Sequence, residues 1–305
     1  MARIGFVGLG VMGLPMAGNL VRAGHEVRGY DMVSAACEKF ASSGGAVAAS
    51  PSDAASGAEF LITMLPTSEN VEAALCGEHG AFRGMRRGAV AIDMSTINPN
   101  VSQKLARQAT EMGIDMLDAP VSRGEVAAIK GDLLIMVGGA EPVFERSRDI
   151  LGLMGSKIIH VGGSGMGAVA KIVNNIMVGC ICAATSEALV FGTKAGAALE
   201  RLVEVITNAS GNSWLLQNQM QPALHGSFEP GFFTDHMYKD LGLALSASSE
   251  LGVTLRMAEE AQEMFAEVRA RGHGKKDYTI LLKVLEDAAG VKVRYRDSLE
   301  PEAVS

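Results

Sequence analysis

Six residues near the start of the chain, Gly8-Leu9-Gly10-Val11-Met12-Gly13, restrict the fold more than any other feature. They follow an apolar run, Arg3–Val7, that reads as a strand. They lead into residues 12–23, where Met12, Met16, Leu20 and Ala23 recur at helical spacing. At such a junction the first glycine makes the turn and the second lets backbone approach a phosphate. The third lets the helix sit close to the strand. The helix N-terminus adds free N–H groups and the positive end of its dipole. The chain has 36 glycines in 305 residues, so the spacing alone is a weak signal. Its place between strand and helix makes it a specific one, for a dinucleotide pyrophosphate. Gly8, Gly10, Val11, Met12 and Gly13 are therefore expected to bind the cofactor.

Asp31 supplies the second half of that signature. It ends an expected strand, Glu26–Tyr30, 23 residues after Gly8. A carboxylate there accepts hydrogen bonds from the adenosine ribose and repels a 2′-phosphate. Met32 and Val33 follow, so no arginine stands ready for that phosphate. NAD is the expected cofactor.

The chain continues in the same alternation. Strands are expected at 59–64, 89–94, 114–118, 133–137 and 157–160, with helices at 52–57 and 101–112. Strands alternating with helices imply βαβ units and a mainly parallel, doubly wound sheet. After His160 no strand pattern is seen. Helices are expected at 167–196, 199–209, 235–251, 256–271 and 280–289. The composition shift at Gly162-Gly163-Ser164-Gly165 marks a boundary. The expected architecture is α/β, a Rossmann-like doubly wound sheet over 1–162, then an all-α domain over 163–290 built on a long inter-domain helix. Residues 291–305 read as a loose tail.

Composition removes several classes. Apolar residues are 48% and charged residues 20%, which excludes general disorder. The net charge is −7 and no basic face is apparent, so nucleic acid is not an expected partner. Cys37, Cys76, Cys180 and Cys182 lack metal-ligand spacing, as do the six histidines, and no metal is expected. Reduced thiols and a start without a signal pattern suggest a cytoplasmic protein. The uncharged apolar stretch 172–186 has 15 residues, short of the ~20 needed to span a bilayer, so no membrane is expected.

Lys171, Asn174 and Asn175 stand at i, i+3 and i+4 within the apolar start of the long helix, so they share a face. They read equally well as an exposed polar stripe or as a site, since burying them without partners is costly.

The chain resembles the β-hydroxyacid dehydrogenase family. The stretches that carry the resemblance are Gly5–Gly18 (GFVGLGVMGLPMAG), Asp93-Met94-Ser95-Thr96 and Asp118-Ala119-Pro120-Val121-Ser122-Arg123-Gly124. GMGAVAKIVNN at residues 165–175 and Lys239-Asp240-Leu241 complete them. The resemblance as a whole runs from Ile4 to about Gly290. The Ile62-Thr63-Met64-Leu65-Pro66 run and two others are most similar to the family's sulfolactaldehyde-reducing members. The resemblance implies hydride transfer between NAD and a short β-hydroxy acid or semialdehyde, in a cleft between the two domains. It implies that Met64, Leu65, Pro66, Asn70, Thr96 and Lys239 also line the cofactor. It makes Lys171 the acid that protonates the alkoxide left by hydride addition, with Asn175 orienting it. Asn174 and Lys239 are then expected near the substrate, with Phe232 and Phe233 over the nicotinamide.

Ser122, Arg123 and Gly124 are expected to hold the substrate's carboxylate. Family members commonly have Ser-Gly-Gly here. Arg123 departs from that pattern and suggests a sulfonate or phosphonate; its plainer reading is a surface arginine, in solvent or paired with Glu125. Hydroxyisobutyrate and tartronate semialdehyde (2-hydroxy-3-oxopropionate) chemistries are the alternatives within the family. An imine reductase would normally lack the lysine, and a non-catalytic cofactor-binding module would be expected to lose it. The helical half suggests a homodimer or homotetramer, with a small anionic hydroxy acid or aldehyde as ligand.

Overall fold

A computed structural model describes Met1–Arg296. The described chain divides into two compact units, the first Met1–Ile172 and the second beginning at Val173.

The first unit holds nine strands: β1 (Arg3–Val7), β2 (Glu26–Tyr30), β3 (Ala46–Val47), β4 (Phe60–Thr63), β5 (Val90–Asp93), β6 (Asp115–Asp118), β7 (Val121–Ser122), β8 (Leu134–Gly138) and β9 (Lys157–Gly162). Among them lie α1 (Gly13–Arg22), α2 (Ser34–Ser42), α3 (Pro51–Ala55), α4 (Ser68–Cys76), α5 (Pro99–Glu111), α6 (Gly124–Lys130) and α7 (Glu141–Gly152). Sequence periodicity assigns none of α2, α4, α6 and α7. Two of these, α4 and α7, announce themselves by other means. Thr67 caps α4 by accepting from the Asn70 N–H, and α7 starts on Glu141-Pro142.

The strand order is β3-β2-β1-β4-β5-β6-β8-β7, with β9 paired to β8. From β3 to β6 every pairing is parallel, as expected. Beyond β6 the sheet changes sense: β8 runs antiparallel to β6 and to β7. The order reverses between β1 and β4, so their carboxyl ends flank the switch point where such sheets bind ligands. Both faces of the sheet are buried. Ile62 and Ile92 join one apolar cluster while Leu61 and Ala91, their neighbours in sequence, join another on the opposite face.

Helix α8 (Met166–Lys194) starts in the first unit and continues into the second. It has 29 residues, close to the expected helix over 167–196 and longer than the uncharged apolar stretch within it. By length and composition alone it could cross a bilayer, with a mean hydropathy of 1.7 in its most apolar window. Buried Lys171, Asn175 and Ser186 on it argue for a helix of a protein core. The second unit adds α9 (Leu199–Thr207), α10 (Gln221–Leu224), α11 (Thr234–Glu250), α12 (Arg256–Ala270) and α13 (Leu281–Ala289). Its core gathers Cys182, Leu216, Met237, Leu241, Phe265 and Tyr278.

The described start of the expected loose tail is pinned. Val293 is fully buried, its N–H donates to Glu286 Oε1 at 2.6 Å, and Arg294 forms an ion pair with Glu286. The Tyr295 N–H donates to the Leu224 carbonyl at 3.0 Å. Alternating apolar residues gave Val293 a core to enter, which loss of helical periodicity conceals. The rest of that tail, 297–305, lies outside the described residues.

Candidate active site

The glycine turn is built by close contact. Gly8 takes φ 98, and a Cβ there would lie 2.2 Å from the Met64 carbonyl oxygen. At Gly13, the first residue of α1, a Cβ would lie 1.8 Å from the Gly8 carbonyl oxygen. Any side chain there would push the helix off the strand. Gly10 is different: a Cβ would meet nothing within 4 Å, so the backbone there faces open space. Val11 is exposed and Met12 half-buried at the mouth of the turn. That is the shape a pyrophosphate needs.

Asp31 follows β2 and touches this turn directly. Its Oδ2 accepts from the Leu9 N–H at 2.7 Å and its Oδ1 from the Val33 N–H at 2.8 Å. The carboxylate thus shapes the glycine turn, a task the sequence does not announce. Beside it lies a pocket of about 460 Å³ lined by residues that include Tyr30, Asp31, Met32, Cys37, Glu38 and Val47. Two of its lining residues are acidic and none is basic. This environment fits an uncharged ribose and opposes a 2′-phosphate.

Met64, Leu65 and Pro66 leave the end of β4, and Thr96 leaves the end of β5. A buried network ties these ends together. Asp93 Oδ1 accepts from Thr63 Oγ1 at 2.7 Å and from the Ser95 N–H at 3.2 Å. Ser95 Oγ accepts from the Leu65 N–H at 2.9 Å. Burial pushes the Asp93 carboxyl up to about 6, against the bonds from Ser95 and Thr63. Its Oδ2 is buried without a hydrogen-bond partner. Asn70 is exposed on α4, and its Oδ1 accepts the Thr67 hydroxyl at 3.0 Å. That side chain serves the helix cap in this structure.

Ser122 ends β7, half-buried, and Gly124 opens α6. Between them Arg123 takes φ 87, the single non-glycine residue at positive φ among those described. Its Nη1 donates to the Asp132 carbonyl at 2.9 Å, to Asp132 Oδ1 at 3.0 Å and to Ser156 Oγ at 3.3 Å. The guanidinium is thus engaged with Asp132, not with Glu125. Its backbone holds a left-handed conformation that glycine adopts without steric cost.

Along α8, Lys171 is 6% exposed and Asn175 3%, while Asn174 is exposed. Of the two readings of this face, burial favours a site for Lys171 and Asn175. Asn174 Nδ2 donates to Asn175 Oδ1 at 2.9 Å, and Asn175 Nδ2 donates to Asp240 Oδ2 at 2.5 Å. Lys239 Nζ lies 3.1 Å from Asp240 Oδ1, in an ion pair poorly aligned for a hydrogen bond. Asp240 is therefore the residue that joins Lys239 to the asparagine pair. The signal for it was present: it falls on the buried stripe Met237, Asp240, Leu241, Ala244 of α11, where a carboxylate needs partners. Next to them, burial and then Lys239 hold the His236 imidazole below its ordinary range. Phe232 packs edge-on against Tyr278, and Phe233 against His236.

Asp118, the last residue of β6, was legible only as part of a motif. Its Oδ1 accepts from the Gly165 N–H at 2.7 Å and its Oδ2 from the Ala168 N–H at 2.8 Å. Burial pushes its carboxyl up, and those backbone bonds pull it down. Among the described residues no group of three or more His, Cys, Asp or Glu side chains is placed to hold a metal ion.

The chain is similar to known proteins over most of its length. Residues 3–162 match the family described as the NAD binding domain of 6-phosphogluconate dehydrogenase. Residues 165–285 match the NAD-binding family of NADP-dependent 3-hydroxyisobutyrate dehydrogenase. The chain is 40% identical over 292 residues to 2-(hydroxymethyl)glutarate dehydrogenase of Eubacterium barkeri, covering 95% of this chain and 97% of that one. It is 37% identical over 297 residues to 3-sulfolactaldehyde reductase of Escherichia coli (strain K12), covering 97% and 100%. A solved structure of Mycobacterium tuberculosis 3-hydroxyisobutyrate dehydrogenase with L-serine is similar at a TM-score of 0.89 and 38% identity, covering 93% of this chain and 99% of that one.

Proposed function

Because the chain belongs to the β-hydroxyacid dehydrogenase family, we propose that it interconverts a short β-hydroxy acid and its semialdehyde, with Lys171 as the proton carrier. The single observation that carries this reading is the burial of Lys171 and Asn175 on one face of α8. An ammonium and an amide are retained in such a setting when their chemistry is used.

NAD would be held at the Gly8–Gly13 turn and beside Asp31, and when bound its reduced form would supply the hydride and its oxidised form accept it. The residues of the chain do the rest. In reduction the Lys171 ammonium donates a proton to the carbonyl oxygen as the C–H bond forms. The oxygen becomes the hydroxyl, and Lys171 is reprotonated from solvent. In oxidation the neutral amine takes the hydroxyl proton. Asp240 holds Asn175 Nδ2, which leaves Asn175 Oδ1 to accept from Asn174 and fixes the amide's orientation beside Lys171. Ser122 and the backbone N–H groups of the 122–124 turn receive the substrate's acidic group. A strong anion, sulfonate or phosphonate, would have to draw Arg123 away from Asp132. A plain carboxylate would leave that pair intact, as in the hydroxyisobutyrate reading. The exposed apolar residues Val173, Met177 and Phe191 on α8 support a homo-oligomer, and the four free cysteines suit a cytoplasmic enzyme.

The test is a panel of short hydroxy acids and semialdehydes, with and without sulfonate or phosphonate, followed by NADH absorbance. Turnover of at least one is expected. Lys171→Ala should lower kcat on it by ~10²–10⁴-fold, the usual worth of a general acid. KM for NAD should change little. Near-normal turnover by that variant would remove Lys171 from the mechanism.

A further inference from the structure

The start of α8 has no cap of its own. The residue before it is Gly165, which has no side chain and takes φ 88. The cap comes instead from Asp118, through the bonds to the Gly165 and Ala168 N–H groups. Ala168 is one helical turn before Lys171. The packing around this carboxylate admits nothing larger than glycine on two sides. A Cβ at Gly138 would lie 2.6 Å from Asp118 Oδ1. A Cβ at Gly167 would lie 2.4 Å from the Met136 carbonyl oxygen and 2.5 Å from that of Asp118. Strand end and helix start are therefore locked in one register. Asp118 also roots the segment that reaches Ser122 four residues later.

We propose that Asp118 is a positioning residue for the reaction: by capping α8 from the end of β6 it sets Lys171 against the Ser122–Gly124 turn that receives the substrate. This rests on the reading of Lys171 as the proton carrier. The bidentate carboxylate fixes both the height of the helix start and its rotation, since its two oxygens hold N–H groups three residues apart. A neutral amide has one acceptor and one donor, so it can hold one N–H and must repel the other. The helix start then shifts by a fraction of a turn. A displacement of about 1 Å at a reacting group costs on the order of 10²-fold in rate. The glycine turn and Asp31, which hold the cofactor, touch none of these atoms.

The experiment is a double-mutant cycle in the full-length enzyme. Asp118→Asn is expected to lower kcat by about 10²-fold while KM for NAD stays within about twofold. In a Lys171→Ala background the same substitution should add almost no further loss, because a misplaced and an absent lysine are equivalent. A purely structural role would show the same fold loss in both backgrounds, or a loss of thermal stability with kcat intact; either result overturns the proposal. If Asp118→Asn does not fold, Gly167→Ala displaces the same helix start without changing a charge, and the same non-additivity is expected of it. Lys171→Ala alone separates the two claims. Near-normal turnover there refutes the reading of Lys171, whereas a large loss there with multiplicative losses at Asp118 refutes only the positioning role.

Discussion

Arg123 offers the sharpest test of how the substrate turn is held, because glycine and alanine should part company there. At φ 87 a side chain pays a backbone strain of about 1–2 kcal/mol that glycine avoids. Glycine returns about 0.4–1 kcal/mol of this as extra freedom in the unfolded chain. Both substitutions lose the contacts to Asp132 and Ser156. The ion pair is half exposed, at 44% and 53%, so it is worth at most about 1 kcal/mol. Arg123→Gly should therefore be close to neutral. Arg123→Ala keeps the strain, loses the contacts and should be destabilised by about 1 kcal/mol. In a unit of this size that separates the two melting temperatures by about 2–4 °C. Thermal unfolding followed by circular dichroism reads the difference directly. Activity on the panel, measured in parallel, tells whether the guanidinium also serves an anionic substrate: KM for that substrate should rise with both variants. Equal melting temperatures for the glycine and alanine variants would refute the claim that Arg123 occupies a strained position held by its side chain.

Three further outcomes follow from the site and its surroundings. Asp31→Ala should weaken NAD binding and narrow its advantage over NADP, since it removes both the anchor of Leu9 and the negative charge beside the ribose; equal use of the two cofactors by the unaltered enzyme would contradict this. Asp93 should make the protein less stable as pH rises: between about pH 4 and 6 the folded state binds a proton there that the unfolded chain releases, and above that window the effect is constant. The contribution is at most about 3 kcal/mol. Asp118, also pushed up by burial, tilts the curve the same way, so the decisive quantity is the difference between Asp93→Asn and the unaltered protein, which should grow from pH 4 to 6 in favour of the variant; a difference independent of pH would exclude it. Arg294→Ala leaves Glu286, 3% exposed, without its cation, and should cost about 3–5 kcal/mol by urea unfolding; a loss below 1 kcal/mol would show that the ion pair does not pin the chain after α13.

Local sequence carried the signals that local physics writes. The Gly8–Gly13 turn, Asp31 and the run of strands were legible because a strand-to-helix turn against a phosphate admits few residues, and each strand needs its own apolar stretch. The parallel order through β6 followed from the same alternation. Lys171, Asn174 and Asn175 were legible as one face of a helix because helical periodicity joins neighbours three and four apart. Whether that face was a solvated stripe or a buried site was not, since burial depends on what packs over it. Only the tertiary structure showed Lys171 and Asn175 buried and Asn174 exposed.

The partners were invisible for the same reason. Asn175 and Asp240 are 65 residues apart, and Asp118 caps a helix that starts nearly fifty residues later. No spacing rule links such pairs. Arg123 shows the point most plainly. Sequence reasoning read its guanidinium as a donor for a substrate anion or as a surface arginine paired with Glu125. The fold instead brought Asp132 and Ser156 to it and twisted its backbone to φ 87. What a side chain can do is written in its own chemistry and its near neighbours. Which partner it meets is decided when distant strands and helices close on each other, because hydrogen bonds and ion pairs act over a few ångströms of space and take no account of separation along the chain.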